Sequence, residues 1–370
     1  MRGRIALPCL LALGQLGCLM GCLVATDVPP PKAVVTKQGS SATIPCPIFP
    51  SNNVWNTPVD QLLVDEHTAA YLGNMDPEGH LAAGFNSGRN GTESGIPYLI
   101  VGEDAKKVDV LLQEADESDH GPFPIPNKPP LEQASGGRLI LLDVQTCFIY
   151  ELQGLRRDPE QQWIAASAAV FDLRSHILRR QFWGSADAAG MAIFPGLVRY
   201  EEVAAGTINH ALRFSTPRTR KTFVWPARHA DSNIFDAGYP PMGTRFRLKA
   251  NFRLNDFSPQ TRIILRALQT YGMFVADNGS PWTLSGAPDK RWNDVQLEEL
   301  NKVPASAFEA VDESPLMEDV NLGIARQDVR PEEGHRQEAP KPTEMPTVVV
   351  PSPPKPEEAK PPEGKPKDNK

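Results

Sequence analysis

The chain has 370 residues, with 38 Lys or Arg against 45 Asp or Glu and a formal charge of -7. So small a charge, with no basic run interleaved with aromatics, excludes a nucleic-acid-binding surface of the usual electrostatic kind. Five cysteines without a CxxC, an HExxH or a His pair at ligand spacing give no metal signature, and no cofactor motif is present, so neither is expected.

The N-terminus opens with Arg2 and Arg4, then the apolar run "IALPCLLALGQLGCLMGC". It is too short, and too interrupted by Pro and Gly, to span a bilayer comfortably, so residues 1–22 read as a secretory signal. The run ends in "LMGC", which resembles a lipobox with Leu19 at −3, Gly21 at −1 and Cys22 as the lipidated residue. Lipidation of Cys22 would anchor the exported protein to a membrane surface, facing the periplasm or the cell exterior. An ordinary signal cleaved after Ala25 would give a secreted protein instead. Residues 23–46 form a linker. Cys46 and Cys147 are the two cysteines outside the signal, and in an oxidising compartment they predict one disulfide. Two buried free thiols are the alternative.

Residues 47–312 carry the folding signals, ~265 residues and enough for one large core. Long polar or Pro-rich stretches (75–98 and 114–130) read equally as binding loops or as surface excursions. "RLILLDV" (138–144) and "CFIYEL" (147–152) predict a hairpin turning at Gln145 and Thr146. "WIAASAAVFDL" (163–173), "GLVRYEEV" (196–203), "INHALRF" (208–214) and "TFVWPA" (222–227) read as further strands. "TRFRLKANF" (244–252) alternates strictly, with Phe246, Leu248, Ala250 and Phe252 on an apolar face and Arg245, Arg247 and Lys249 on a basic one. Helices are few. "SPQTRIILRALQTYG" has Ser258 as N-cap, Pro259 in the first turn and Gly272 as a stop, and "DVQLEEL" (294–300) is a second. Between them, Asp277, Asn278 and Gly279 read as a tight hairpin turn. Many short strands without βαβ alternation predict a mainly β fold, an antiparallel β-sandwich or jelly roll with one or two short helices. From about Gln327 the chain turns Pro-, Glu- and Lys-rich, and residues 313–370 are assigned to a disordered tail.

The order of "FPSNNVWNTPVDQL", "GPFPIP", "TCFIYEL", "PGLVRYEEVAAGTINHALRF", "YPPMGTRFRL" and "LQTYGMFVADNG" resembles a widespread family of secreted bacterial hypothetical proteins. The resemblance spans roughly residues 49–312 and implies one secreted, β-rich domain without implying an activity. One departure stands out: Gly136, Gly137 and Arg138 occupy the positions before "LILLDV" where an acidic residue and a His are expected.

The candidate chemistry rests on single residues. His210 shares a predicted strand face with Ile208, Leu212 and Phe214, so it is either a satisfied core imidazole or an acid/base group in a concave face. Glu151 lies on the face of Cys147 and Ile149, where burial would raise its pKa toward that of a catalytic acid; an Arg-paired edge residue is the bland alternative. Asp231 and Asp277 sit in predicted turns, where Asp has ordinary structural duties as well as catalytic or binding ones. Arg213, Arg245 and Arg247 would suit the carboxylates of an anionic polysaccharide, or else form a solvated, ion-paired face. Trp282 is an aromatic that would stack on a sugar or fill the core. The leading expectation is a carbohydrate-active hydrolase or lyase of the cell envelope. A non-catalytic glycan- or envelope-binding lipoprotein and a structural scaffold are the alternatives.

Overall fold

The computed structural model describes residues 44–102, 104–132 and 136–329. The signal, the lipobox at Cys22 and residues 330–370 lie outside the described residues. The fold is mainly β, with short helices. A four-stranded sheet runs in the order Tyr98–Val101, Leu139–Asp143, Phe148–Gln153, Ser167–Asp172. A six-stranded sheet runs Ala82–Ala83, Thr283–Leu284, Leu212–Thr216, Met273–Asn278, Arg245–Leu248, Phe308–Val311. Both are mixed: Tyr98–Val101 runs parallel to Leu139–Asp143, and Met273–Asn278 runs parallel to Leu212–Thr216, among antiparallel neighbours.

The hairpin of Leu139–Asp143 and Phe148–Gln153 forms, its turn fixed by Asp143 Oδ1 accepting from the amides of Gln145 and Thr146. Strand alternation divides its side chains between two cores. Ile140, Leu142 and Ile149 enter the main core, while Leu139, Leu141 and Leu152 enter a second, smaller one. The Cys46–Cys147 disulfide is made and closes a loop with a sequence separation of 101.

Helix Pro259–Thr270 forms behind Ser258 and buries Ile264, Leu265 and Leu268. Gly272, at φ 66, ends it and delivers the chain into Met273–Asn278; a Cβ there would meet the Phe246 carbonyl oxygen at 2.4 Å. The second helix is shorter than its signal, Asp294–Glu298, and continues as a 3-10 turn.

Several local readings are corrected. "GLVRYEEV" is no strand: Tyr200–Ala205 is helical, capped by Gly206 in the left-handed region at φ 90. "WIAASAAVFDL" breaks at Ala166 into strands of two different sheets. "TRFRLKANF" is strand only to Leu248, and both of its faces are buried. Asp277 and Asn278 are no turn; they belong to a strand, and the next strand, Thr283–Leu284, pairs with Leu212–Thr216. The domain also runs past Asp312. Leu316 and Ala325 are buried, Ala325 pairs with Met317, and the Leu322 carbonyl accepts from Trp225 Nε1 at 2.8 Å.

Candidate functional site

A polar cleft of about 650 Å³ opens where the two large sheets meet, lined from seven separate stretches of chain. The strand Leu139–Asp143 is preceded by Arg138; Phe148–Gln153 ends in Gln153; Met273–Asn278 supplies Asp277. The loop 184–188 brings Ser185 and Asp187, and the segment after the Trp225–Pro226 peptide brings His229 and Asp231. Glu114, Asp116 and Glu117 stand on the outer rim.

Arg138 is the organising cation. Its Nη2 donates to Asp277 Oδ2 at 2.6 Å, and its Nε donates to Gln153 Oε1 at 2.7 Å and to the Ala186 carbonyl at 3.1 Å. Asp277 keeps a side-chain exposure of 16%, so its carboxylate is accessible while being held on one side. Behind it, Arg213 Nη2 stands 3.3 Å from Asp187 Oδ2 and 3.5 Å from Asp277 Oδ2, and Nη1 donates to Ser285 Oγ at 2.8 Å. Asp187 Oδ1 accepts from Ser185 Oγ at 3.0 Å and from the Met191 amide at 2.9 Å. Burial pushes the Asp187 carboxyl up, against the pull of Arg213 and with the help of Asp277.

His229 is fixed by its neighbours. Its Nδ1 lies 2.9 Å from the Ala188 carbonyl, which makes Nδ1 the donor and leaves Nε2 to carry the lone pair of the neutral ring. The chain can approach this closely because residue 190 is Gly, at φ 67; a Cβ there would meet the Trp183 carbonyl at 2.8 Å and the His229 Cβ at 3.1 Å.

Glu151 lies near this cluster, fully buried, and accepts from the amides of Ile193 and Phe194 at 2.8–2.9 Å. Burial pushes its carboxyl up to about 7, although those two amides pull it down. Asp187 and Arg213 are close enough to act on it as charges, yet Glu151 is not among the cleft-lining residues.

His210 belongs elsewhere. It precedes the strand Leu212–Thr216, and so lies outside the alternation that placed it on a strand face. Its Nδ1 donates to the Ala211 carbonyl at 2.8 Å, while Nε2 stands 3.0 Å from Arg199 Nη2 and 3.1 Å from Glu202 Oε2. Burial works to raise Glu202, but Arg199 and His210 outweigh it and hold the carboxyl at about 2. This is a buried, satisfied cluster that ties helix Tyr200–Ala205 to the segment entering the sheet.

The basic face is dismantled. Arg245 is wholly buried, donating to the carbonyls of Val54, Thr57 and Tyr271 and to Glu313 Oε1 at 2.8 Å. Arg247 donates to Glu309 and to the carbonyls of Val59 and Leu62. Arg213 is equally buried, because its strand is covered on both faces. These guanidiniums are spent on internal acceptors and do not present a surface to a polyanion. Trp282 is core: it stacks on Phe214 at 5.5 Å and on Phe308 at 5.4 Å.

Of the residues singled out in the sequence, Asp231 and Asp277 line the cleft; Arg213 reaches it only through its carboxylate partners. Asp187 and Ser185 are the additions, and Arg138 enters the cleft from the position that the sequence marked only as a departure. The small residues flanking Asp187 in "SADAAG" were the available signal, since only such neighbours let a carboxylate be packed this tightly. No protein-family model, curated protein or solved structure matches the chain.

Proposed function

We propose that the protein is an exported, envelope-associated carbohydrate-active enzyme, a hydrolase or lyase, whose acid/base site is the cleft around Asp277 and His229. The observation that carries this reading is the convergence of Asp277, Arg138, Asp187 and His229, from four separate stretches of chain, on one accessible cavity. None of the cleft-lining residues is Phe, Tyr or Trp, so the cleft offers acid/base and hydrogen-bonding groups and no stacking platform. Asp277 is the carboxylate that meets the substrate, oriented by Arg138, and His229 Nε2 exchanges the proton. Asp187 and Arg213 position Asp277 from behind.

The charge of the cleft selects the substrate. Asp187 and Asp277 are offset by Arg213 and Arg138, which leaves Glu114, Asp116, Glu117 and Asp231 on the lining and rim with His229. A uronic acid would meet this surface at a cost, and a neutral or amino-bearing saccharide would not. The Cys46–Cys147 disulfide supports export. A lipid on Cys22 would hold the domain at the membrane surface.

The test is incubation of the full chain with neutral, amino-bearing and uronic-acid oligosaccharides, with product analysis. Cleavage of a neutral or amino sugar, lost in Asp277→Asn, is the expected result. Binding without products would make the cleft a recognition site, and cleavage that survives Asp277→Asn would place the chemistry elsewhere.

A further inference from the structure

The sequence contains two Asn-Gly pairs, Asn90-Gly91 and Asn278-Gly279. Asn is a chemically labile residue, and a following Gly exposes it most, because no Cβ keeps the glycine nitrogen from the asparagine Cγ. The fold decides whether that reaction runs. The side-chain amide must be free to turn, and the glycine amide must be free to lose its proton. At the second pair neither condition holds. Asn278 ends the strand Met273–Asn278; its Oδ1 accepts from Thr219 Oγ1 at 3.0 Å, and its Nδ2 donates to the Asp231 carbonyl. The Gly279 amide donates to the Thr216 carbonyl of the neighbouring strand at 3.0 Å. These bonds also hold Asp231, a residue of the cleft, so the locked pair is the one whose change would reach the candidate site.

The first pair is built the other way. Asn90 and Gly91 are both exposed, at the outer end of the loop 86–94. Among the described residues nothing hydrogen-bonds to the Asn90 side chain. The Gly91 amide makes one bond, to the Gly88 carbonyl of its own turn, at 3.2 Å. A side chain built on Gly91 would meet nothing within 4 Å, so this end of the loop stands clear of its neighbours. Asn86 closes the loop below it. The Asn86 amide donates to the Ser94 carbonyl at 3.1 Å, its Oδ1 accepts from the amides of Gly88 and Ser94, and its Nδ2 donates to the Thr92 carbonyl at 3.0 Å. None of these bonds involves Asn90, so the outer end can change covalently without opening the loop.

We propose that Asn90 is a site of spontaneous deamidation, with water as the co-reactant, and that the fold suppresses the same reaction at Asn278. The Gly91 nitrogen loses its proton to hydroxide and attacks Cγ of Asn90. A bond forms between that nitrogen and Cγ, the Cγ–Nδ2 bond breaks, and the side-chain nitrogen takes a proton from water and leaves as ammonia. Water then opens the cyclic imide at either carbonyl. Opening at Cγ gives aspartate; opening at the backbone carbonyl gives isoaspartate, with the chain rerouted through the side chain. Nothing is oxidised or reduced. Each event exchanges a neutral amide for a carboxylate beside Asp294 and Glu298, which line the same polar hollow of about 240 Å³ as Asn90. The modification therefore adds negative charge at the outer loop and leaves the cleft as it was.

The test is incubation of the full chain at pH 8 in heavy-oxygen water, followed by digestion at acid pH and peptide mass spectrometry. The expected result is heavy oxygen entering residue 90, as aspartate and isoaspartate, at least tenfold faster than residue 278. Because the glycine amide must first be deprotonated, the rate at residue 90 should fall at least fivefold at pH 6. Asn90→Gln should remove the signal at that position. In urea, where Asn278 loses its strand and its partners, the two sites should react at rates within a few-fold of each other. No conversion at Asn90, conversion at Asn278 at an equal or greater rate in the folded chain, or a tenfold contrast that persists in urea would overturn the proposal.

Discussion

Glu151 and His210 were the two best acid/base candidates by residue type, and both are buried groups with structural partners. Glu151 and Glu202, the carboxylate beside His210, shift in opposite directions. In the fold the Glu151 carboxyl is pushed up to about 7 from an ordinary 4.5, so the folded state holds a proton that the unfolded chain releases. Its contribution to stability is therefore present below about pH 4.5, declines as pH rises and is lost above about 7. The interval is worth ~3 kcal/mol for a fully buried group. Glu313, also raised to about 7 by burial against the pull of Arg245, adds a decline of the same sign. Glu151→Gln keeps an oxygen for the Ile193 and Phe194 amides and removes the titration. Urea unfolding at pH 5 and pH 8 should show a shallower loss of stability in the variant than in the parent protein; equal losses would refute the assignment. Glu202 runs the other way: its depressed carboxyl stabilises the fold above about pH 4.5, an advantage lost toward pH 2. His210→Ala leaves Glu202 and Arg199 short of a partner and should cost ~1–3 kcal/mol of stability with turnover at the cleft unchanged.

At the scale of elements, what was legible depended on how many faces each strand buries. The 138–152 hairpin and helix Pro259–Thr270 could be read locally, from turn and terminus residues, and the Cys46–Cys147 bridge from there being only two cysteines outside the signal. Arg245 and Arg247 could not. Alternation of apolar and basic residues predicts one wet face, and nothing local announces that backbone carbonyls from residues 54–62 will cover that face and accept from the guanidiniums. The helix Tyr200–Ala205 is hidden by its shortness, and Asp277 reads as a turn because Asp-Asn-Gly favours one in isolation. The cleft was half legible. Asp231 and Asp277 stand out in the sequence, His229 only weakly and Asp187 not at all, because the packing of Gly190 against residues 228 and 229 is what brings their loops together. Gly190→Ala should therefore disturb the His229 loop and lower activity more than stability, which parallel turnover and melting measurements would reveal. Replacing both Cys46 and Cys147 by Ser should cost up to ~4–5 kcal/mol on the chain-entropy model, read as a lower denaturation midpoint.

For the whole molecule, the two large sheets bring separated stretches of chain to one carboxylate-rich cavity, while the arginines that composition offered for a polyanion are consumed in the core. The central claim is that this cavity performs acid/base chemistry on a saccharide that is not a uronic acid. The most direct test is the rate of product formation from neutral or amino-bearing oligosaccharides by the full chain, its Asp277→Asn variant and His210→Ala. The account predicts turnover by the parent and by His210→Ala, and a loss of at least a hundredfold in Asp277→Asn, the ordinary scale for removing an acid/base group. Turnover retained in Asp277→Asn, or confined to uronic-acid chains, would contradict it.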